Sequence, residues 1–231
     1  MTVSRVLAWD GCVNVRDLGG LPLEGGGETR FGVAVRADSI RSLTDEGWRA
    51  LTGCGVRLAV DLRADAEHEV DPPVEPPIEV VRFPIAGDEV PAVREWRSML
   101  EAYRALLGRF QAELAGAAMT VAQAETTVVI HCVGGRDRAG LASALILRLA
   151  GVPLEAIAAD HALSDENWAP YRERWCAEAA DEWERERRRR VTRPAGTTMA
   201  EVLADLDVWR YLLEGGASPT DLDTLVVKLR S

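Results

Sequence analysis

Apolar positions recur along this chain with two periods, and the change between them divides it. Short runs rich in β-branched and aliphatic residues occupy Phe31 to Val35, Val56 to Leu62, Ile78 to Ile85 and Thr127 to Ile130. Each is short enough for a strand, and Val56 to Leu62 reads as a buried one. Between the first two, Ser42-Leu43-Thr44-Asp45-Glu46 opens a helix with Thr44 as its N-cap, running to about Thr52 and stopped by Gly53. Asp71 to Pro77 contains Pro72, Pro73, Pro76 and Pro77, which block regular structure and leave an extended connector. Residues 91–124 place Trp96, Leu100, Leu107 and Leu114 at roughly helical spacing, and from Gly140 onward the pattern is helical throughout. The first 29 residues are mostly irregular, with Glu24-Gly25-Gly26-Gly27-Glu28 a turn-rich hairpin or loop. Strands interleaved with helices imply an α/β fold: a central, largely parallel sheet flanked by helices, with a helical C-terminal part beside it. A single domain over 1–231 fits the length.

Composition narrows the classes. Of the 231 residues 47% are hydrophobic, enough for a sizeable core, and the formal charge of −10 argues against general nucleic-acid binding. No apolar run approaches the ~18 residues of a spanning helix, so no stable membrane insertion is expected. Met1-Thr2-Val3-Ser4-Arg5 is not followed by a signal-peptide core. The four cysteines, Cys12, Cys54, Cys132 and Cys176, show no metal-site spacing, and neither a metal nor a cofactor is expected.

The segment His131-Cys132-Val133-Gly134-Gly135-Arg136-Asp137-Arg138-Ala139-Gly140 follows the apolar run Val128-Val129-Ile130 and precedes the helical pattern Leu141 to Leu149. That is strand, tight loop, helix, with a thiol at the strand end. Successive backbone N–H groups in such a loop can cradle a phosphate, and the following helix aims its positive end at the same spot. Both favour the Cys132 thiolate. A chain that needs a free thiolate belongs in a reducing compartment, so a cytoplasmic location is the default, with a leaderless export route as the alternative.

His131-Cys132, five residues, then Arg138 resembles the signature of the cysteine-based protein tyrosine phosphatases. The sub-pattern with Gly135, Arg136, Asp137, Arg138 and Gly140 is similar to the bacterial branch that also acts on phosphoinositides, where the loop usually ends Lys-Asp-Arg-Thr-Gly. Asn14-Val15-Arg16-Asp17-Leu18-Gly19-Gly20, Val35-Arg36-Ala37-Asp38-Ser39 and Val60-Asp61-Leu62-Arg63 resemble its further motifs, in order, and Gly216-Ala217-Ser218 is a weaker echo. The resemblance implies a metal-independent phosphatase that acts on a phosphorylated protein, a phospholipid or a small phosphate ester and releases inorganic phosphate.

Roles follow residue by residue. Cys132 is the nucleophile that forms a cysteinyl-phosphate. Arg138 offers a planar fork to two phosphate oxygens. Val133, Gly134, Gly135, Arg136, Ala139 and Gly140 line the phosphate site, the glycines permitting close backbone approach. His131 orients the loop by hydrogen bonds and tunes the thiolate, or is a satisfied core histidine. Asp137 is the general acid that the resemblance favours, or a cap of the following helix. Asp61 is the backup, holding Arg138 or acting as acid, against a buried ion pair with Arg63 or Arg16. Arg136 stands where the family usually has Lys. Ala139 replaces the family's Ser or Thr, whose hydroxyl helps the thiolate depart, and this predicts a burst of product followed by slow turnover. It also keeps open a module that binds phosphate without turning it over.

Other features carry two readings each. Residues 91–124 are a helical lid insertion over the site or an ordinary packed pair. Cys12 is a buried small residue or a disulfide partner of Cys132. Trp168, Trp175 and Trp183 form a packed helix stripe rather than a ligand platform. The run from Arg185 to Arg190 is a solvated helix end, or a surface for anionic lipid. Asp160, His161 and Ser164 tempt a triad reading, but a helix-surface cluster explains them. A sulfur- or arsenate-handling protein is a third class, disfavoured by loop spacing and by the lack of a nearby resolving dithiol.

Overall fold

The computed structural model describes residues 4–70, 77–85, 98–191 and 195–230. Among these residues five strands form one sheet: β1 (Arg16–Asp17), β2 (Ala34–Ala37), β3 (Val56–Asp61), β4 (Glu79–Arg82) and β5 (Thr127–His131). Their spatial order is β1-β2-β5-β3-β4. The pairs β2–β5, β5–β3 and β3–β4 are parallel, and only β1 runs antiparallel, against β2. The largely parallel sheet flanked by helices is therefore the fold that forms.

Side-chain alternation along the central strand builds two cores. Val128 and Ile130 face one side and Val129 the other. On the Val129 side lie Trp9, Val15, Ile40 and Leu51, from the N-terminal segment and helix α1 (Asp45–Gly53). The opposite, larger core is built by α3 (Met99–Arg109), α4 (Gln111–Gln123), α5 (Arg138–Leu149), α8 (Gly196–Ala204), α9 (Val208–Glu214) and α10 (Pro219–Arg230). With both faces covered, β5 is buried at every position and apolar from Val128 to Ile130, as suits a doubly covered parallel strand. The remaining helices among the described residues are α2 (Asp65–Val70), α6 (Leu154–Ala177), α7 (Glu182–Val191) and a short 3-10 helix at Ile40–Ser42.

Local signals place several elements. Thr44 caps α1 by accepting from Gly47 N–H at 3.2 Å, with Asp45 and Glu46 in the first turn. Glu24 to Glu28 is a hairpin-like turn, closed by a bridge between Pro22 and Glu28. Strand ends moved. The run from Phe31 enters the sheet only at Ala34, because Gly32 turns the chain at φ 76° before the pairing of Ala34 with Val128 begins. The run from Ile78 is strand only from Glu79 to Arg82, where β3 offers a partner. Two elements had no periodic signal. β1 is two residues long, and α2 is a single short helix. Its start is fixed by Glu67, whose Oε2 accepts from Ala64 N–H at 2.8 Å in half of a capping box.

Of the segment 91–124, residues 91–97, with Trp96 among them, lie outside the described residues. From Ser98, which caps α3, the chain packs inward: Tyr103, Leu106, Leu107 and Leu114 are buried.

Candidate active site

Cys132 is the first residue beyond β5, at the carboxyl edge of the parallel strands, where open α/β sheets place their ligands. It is 2% exposed. Residues 132–137 form the loop, and α5 begins at Arg138.

Four consecutive carbonyls of this loop are tied outward. Val133 O accepts from Ser39 N–H at 3.0 Å. Gly134 O accepts from Asn14 Nδ2 at 2.9 Å and from Trp168 Nε1 at 2.7 Å. Gly135 O accepts from Arg36 Nε at 2.7 Å, and Arg136 O from Arg36 Nη2 at 2.8 Å. In a trans peptide the N–H points opposite to the C=O. The amides of Gly134, Gly135, Arg136 and Asp137 are thus turned away from these partners toward the loop's concave side, an arrangement that suits an anion. Gly135 has φ 63°, and a Cβ there would lie 2.5 Å from the Ala37 carbonyl oxygen. At Gly140 a Cβ would lie 2.7 Å from Arg36 Nη2.

Arg36 is itself held. Its Nη1 reaches Asp160 Oδ2 at 3.2 Å and its Nη2 reaches Ser164 Oγ at 3.0 Å. Asp160 also receives Arg16 and Arg5. Burial alone would raise the Asp160 pKa, but Arg16 and Arg36 outweigh it and hold the carboxyl well below the usual range. Asp160, His161 and Ser164 are 3%, 1% and 0% exposed. They are therefore not a helix-surface cluster, and they form no triad; they are a buried layer beneath the loop.

The Arg138 guanidinium is clamped by Glu67, through Nη1 to Oε2 and Nη2 to Oε1, the latter at 2.8 Å, with Nη1 also donating to Ile85 O at 3.1 Å. Burial works against its charge, yet the Glu67 hydrogen bond and the nearby Cys132 and Asp137 raise its pKa. Asp137 heads α5 but makes no capping bond with its side chain. Its Oδ1 instead accepts from Tyr103 Oη at 2.7 Å. Arg136 Nε binds Asp165 Oδ1 at 2.7 Å, while Nη1 lies 3.6 Å from Asp137. Ala139 is fully buried in the first turn of α5.

Asp61 does not hold Arg138. Both of its oxygens accept from Arg63, at distances from 2.7 to 3.1 Å. Burial raises its pKa, but the bonds from Arg63 and the proximity of His131 lower it overall. The His131 ring lies against the Cys132 backbone, and its Nε2 is 3.8 Å from Asp61 Oδ1. Burial, only partly opposed by Asp61, lowers its pKa to about 4, so the ring is neutral. Cys12 is a free thiol whose Sγ donates to Ser39 O at 3.5 Å; burial and Asp38 push its pKa up.

The tryptophans do not act together. Trp168 anchors the loop, Trp175 stacks under Arg188 at 4.8 Å, and Trp183 is 59% exposed. In α7, Arg185 pairs with Glu182 and Arg188 with Glu184. Sequence reasoning assigned no role to Glu67, Tyr103 or Asp165, and read Trp168 only as part of a packed helix stripe. Glu67 had one usable signal, its place just past the end of a parallel strand. Tyr103 had none.

The tyrosine phosphatase family profile matches residues 7–231. A tyrosine-protein phosphatase of Nostoc commune is 32% identical over 139 residues, 56% of this chain and 47% of that protein. A Cupriavidus necator protein named for the same activity is 31% identical over 179 residues, 71% of this chain and 65% of that one. The chain thus spans about half to two thirds of the length of these curated relatives. Since the match runs from the N-terminal segment through the cysteine loop to the last helix, this chain belongs to the tyrosine phosphatase family.

Proposed function

We propose that this protein is a metal-independent phosphomonoester hydrolase of protein tyrosine phosphatase type, working through a cysteinyl-phosphate. The observation that carries the reading is the set of four loop carbonyls turned outward onto Ser39, Asn14, Trp168 and Arg36, which leaves inward amides around the Cys132 thiol.

The phosphate sits on those amides at the N-terminus of α5, with Arg138 on two of its oxygens. Cys132 Sγ attacks phosphorus, an S–P bond forms, and the ester P–O bond breaks. Asp137 gives its proton to the departing oxygen, then takes one from the water that attacks the cysteinyl-phosphate. Inorganic phosphate leaves and the thiolate is restored. Asp61, ionised and saturated by Arg63, is a poor source of a proton, so the acid role falls to Asp137. Phosphotyrosine is the substrate class this site suits best, since Val133, 42% exposed on the loop, offers apolar surface to an aryl ester. Phosphoserine, phosphothreonine and phosphoinositides are the other esters of the same chemistry. Ala139 supplies no hydroxyl to the thiolate as it leaves, so the second step limits turnover and product appears in a burst. The same residue supports the second reading, a phosphate-binding module with negligible turnover.

Hydrolysis of p-nitrophenyl phosphate with EDTA present tests this. The expected result is activity that is lost in Cys132→Ser and raised in Ala139→Thr. No hydrolysis by wild type or Ala139→Thr would favour the binding module.

A further inference from the structure

The geometry points to Tyr103 as a positioning residue for Asp137, oriented by a hydrogen bond from His161 whose tautomer the Arg36 guanidinium sets; this assignment rests on the phosphatase reading above.

Three residues from three distant parts of the chain meet behind Asp137. Tyr103, on α3, is fully buried, and its Oη lies 2.7 Å from Asp137 Oδ1 and 3.0 Å from His161 Nε2. His161, on α6, is 1% exposed and meets the Tyr103 ring edge-on at 83°. Its Nδ1 lies 3.4 Å from Arg36 Nη2.

The chain has one direction. The two hydrogens of Arg36 Nη2 go to Arg136 O and Ser164 Oγ, and the same cationic nitrogen lies 3.4 Å from His161 Nδ1; a proton on Nδ1 would point at a group that only donates, so Nδ1 carries none. Burial first, then Arg36, Arg136 and Arg16, keep the ring neutral, so its single proton is on Nε2. That proton is donated to Tyr103 Oη. The phenol hydrogen then has one acceptor left, the Asp137 carboxylate. Burial and the neighbouring Asp137 keep the phenol protonated. Tyr103 is therefore a permanent donor with its oxygen fixed at both ends.

The consequence is positional. A carboxylate at a helix start ordinarily folds back onto the first free amides. Asp137 heads α5 and does not do so. Tyr103 takes one of its oxygens, and the other is free to face the ester oxygen that leaves Cys132-bound phosphorus. Without Tyr103, Asp137 can return to the helix amides and the leaving oxygen departs without a proton.

The test compares kcat/KM for two esters in Tyr103→Phe. One is p-nitrophenyl phosphate, whose leaving group departs without a proton. The other is phenyl phosphate, whose leaving oxygen needs one. The expected result is a change within about twofold for the first and a loss of roughly tenfold or more for the second. The ratio of the two constants does not depend on how much variant is folded, so destabilisation alone leaves it at the wild-type value. Against Asp137→Asn, adding Tyr103→Phe should change neither constant further, as expected for residues acting as a unit. Equal losses on both esters, or additive effects with Asp137→Asn, overturn the positioning role while leaving the phosphatase reading intact. Hydrolysis that survives Cys132→Ser, or none by wild type, overturns the reading beneath it and the assignment too.

Discussion

Arg36 grips two adjacent loop carbonyls, and Arg36→Lys isolates what that grip is worth. The substitution keeps the positive charge near Asp160 and removes the planar fork. An ammonium can serve Gly135 O or Arg136 O, which Arg36 now binds at 2.7 and 2.8 Å, but not both in the present geometry. The released acceptor is buried, and one lost hydrogen bond from a charged donor costs about 1.5–3 kcal/mol. If that cost falls on the ordered loop, its competent population drops by roughly 10- to 150-fold. The expected outcome is a loss of at least tenfold in kcat/KM for p-nitrophenyl phosphate, with a matching loss of affinity for inorganic phosphate as competitive inhibitor. The melting temperature should fall by only about 3–12 °C, leaving a folded protein at 25 °C. An unchanged inhibition constant for phosphate in Arg36→Lys would refute the claim that outward carbonyls set the nest.

Three further outcomes are expected. Glu67→Gln should raise KM for aryl phosphates roughly tenfold, because the clamp on Arg138 loses its charge; steady-state kinetics with an unchanged KM would count against that clamp. Gly135→Ala should abolish most activity and lower stability by at least about 1–2 kcal/mol, since Ala pays the left-handed penalty and its Cβ meets the Ala37 carbonyl; chemical denaturation together with the activity assay checks both. His131 is buried neutral, with its pKa lowered from 6.5 to about 4. The unfolded chain therefore binds one more proton between those values, and stability is full above pH 6.5 and falls with acid down to about pH 4. The loss attributable to this group is up to roughly 3 kcal/mol, and urea titrations should show a shallower pH slope in His131→Asn than in wild type; identical slopes would sink the claim.

Legibility in the sequence followed the range of each contact. The central strand and α1 were visible because their signals are local: a continuous apolar run and a Thr44 cap next to two acids. The loop was visible because strand, glycines, cysteine and arginine lie within ten residues. What was hidden is the support beneath it. Asp160 and Ser164 looked like surface polar residues because nothing in α6 shows that Arg16 and Arg36 arrive from over a hundred positions away. Asp61 was ambiguous between Arg63, Arg16 and Arg138, and the choice went to the neighbour whose guanidinium could reach both of its oxygens two residues along. Tyr103 sits on a helix whose apolar spacing reads as plain packing, and only the phenol oxygen makes it more than that.

The convergence of Arg5, Arg16 and Arg36 on Asp160 also orders events in folding. These contacts close chain separations of 124 to 155 residues, and loops of that length close late, after local helices and neighbouring strands have formed. Until α6 docks, Arg36 has no counter-charge in its buried position, and the carbonyls it should hold are free to turn inward and spoil the nest. The thiol-bearing loop therefore takes its shape only with α6 in place, and a refolding molecule is expected to gain its helices before its nest.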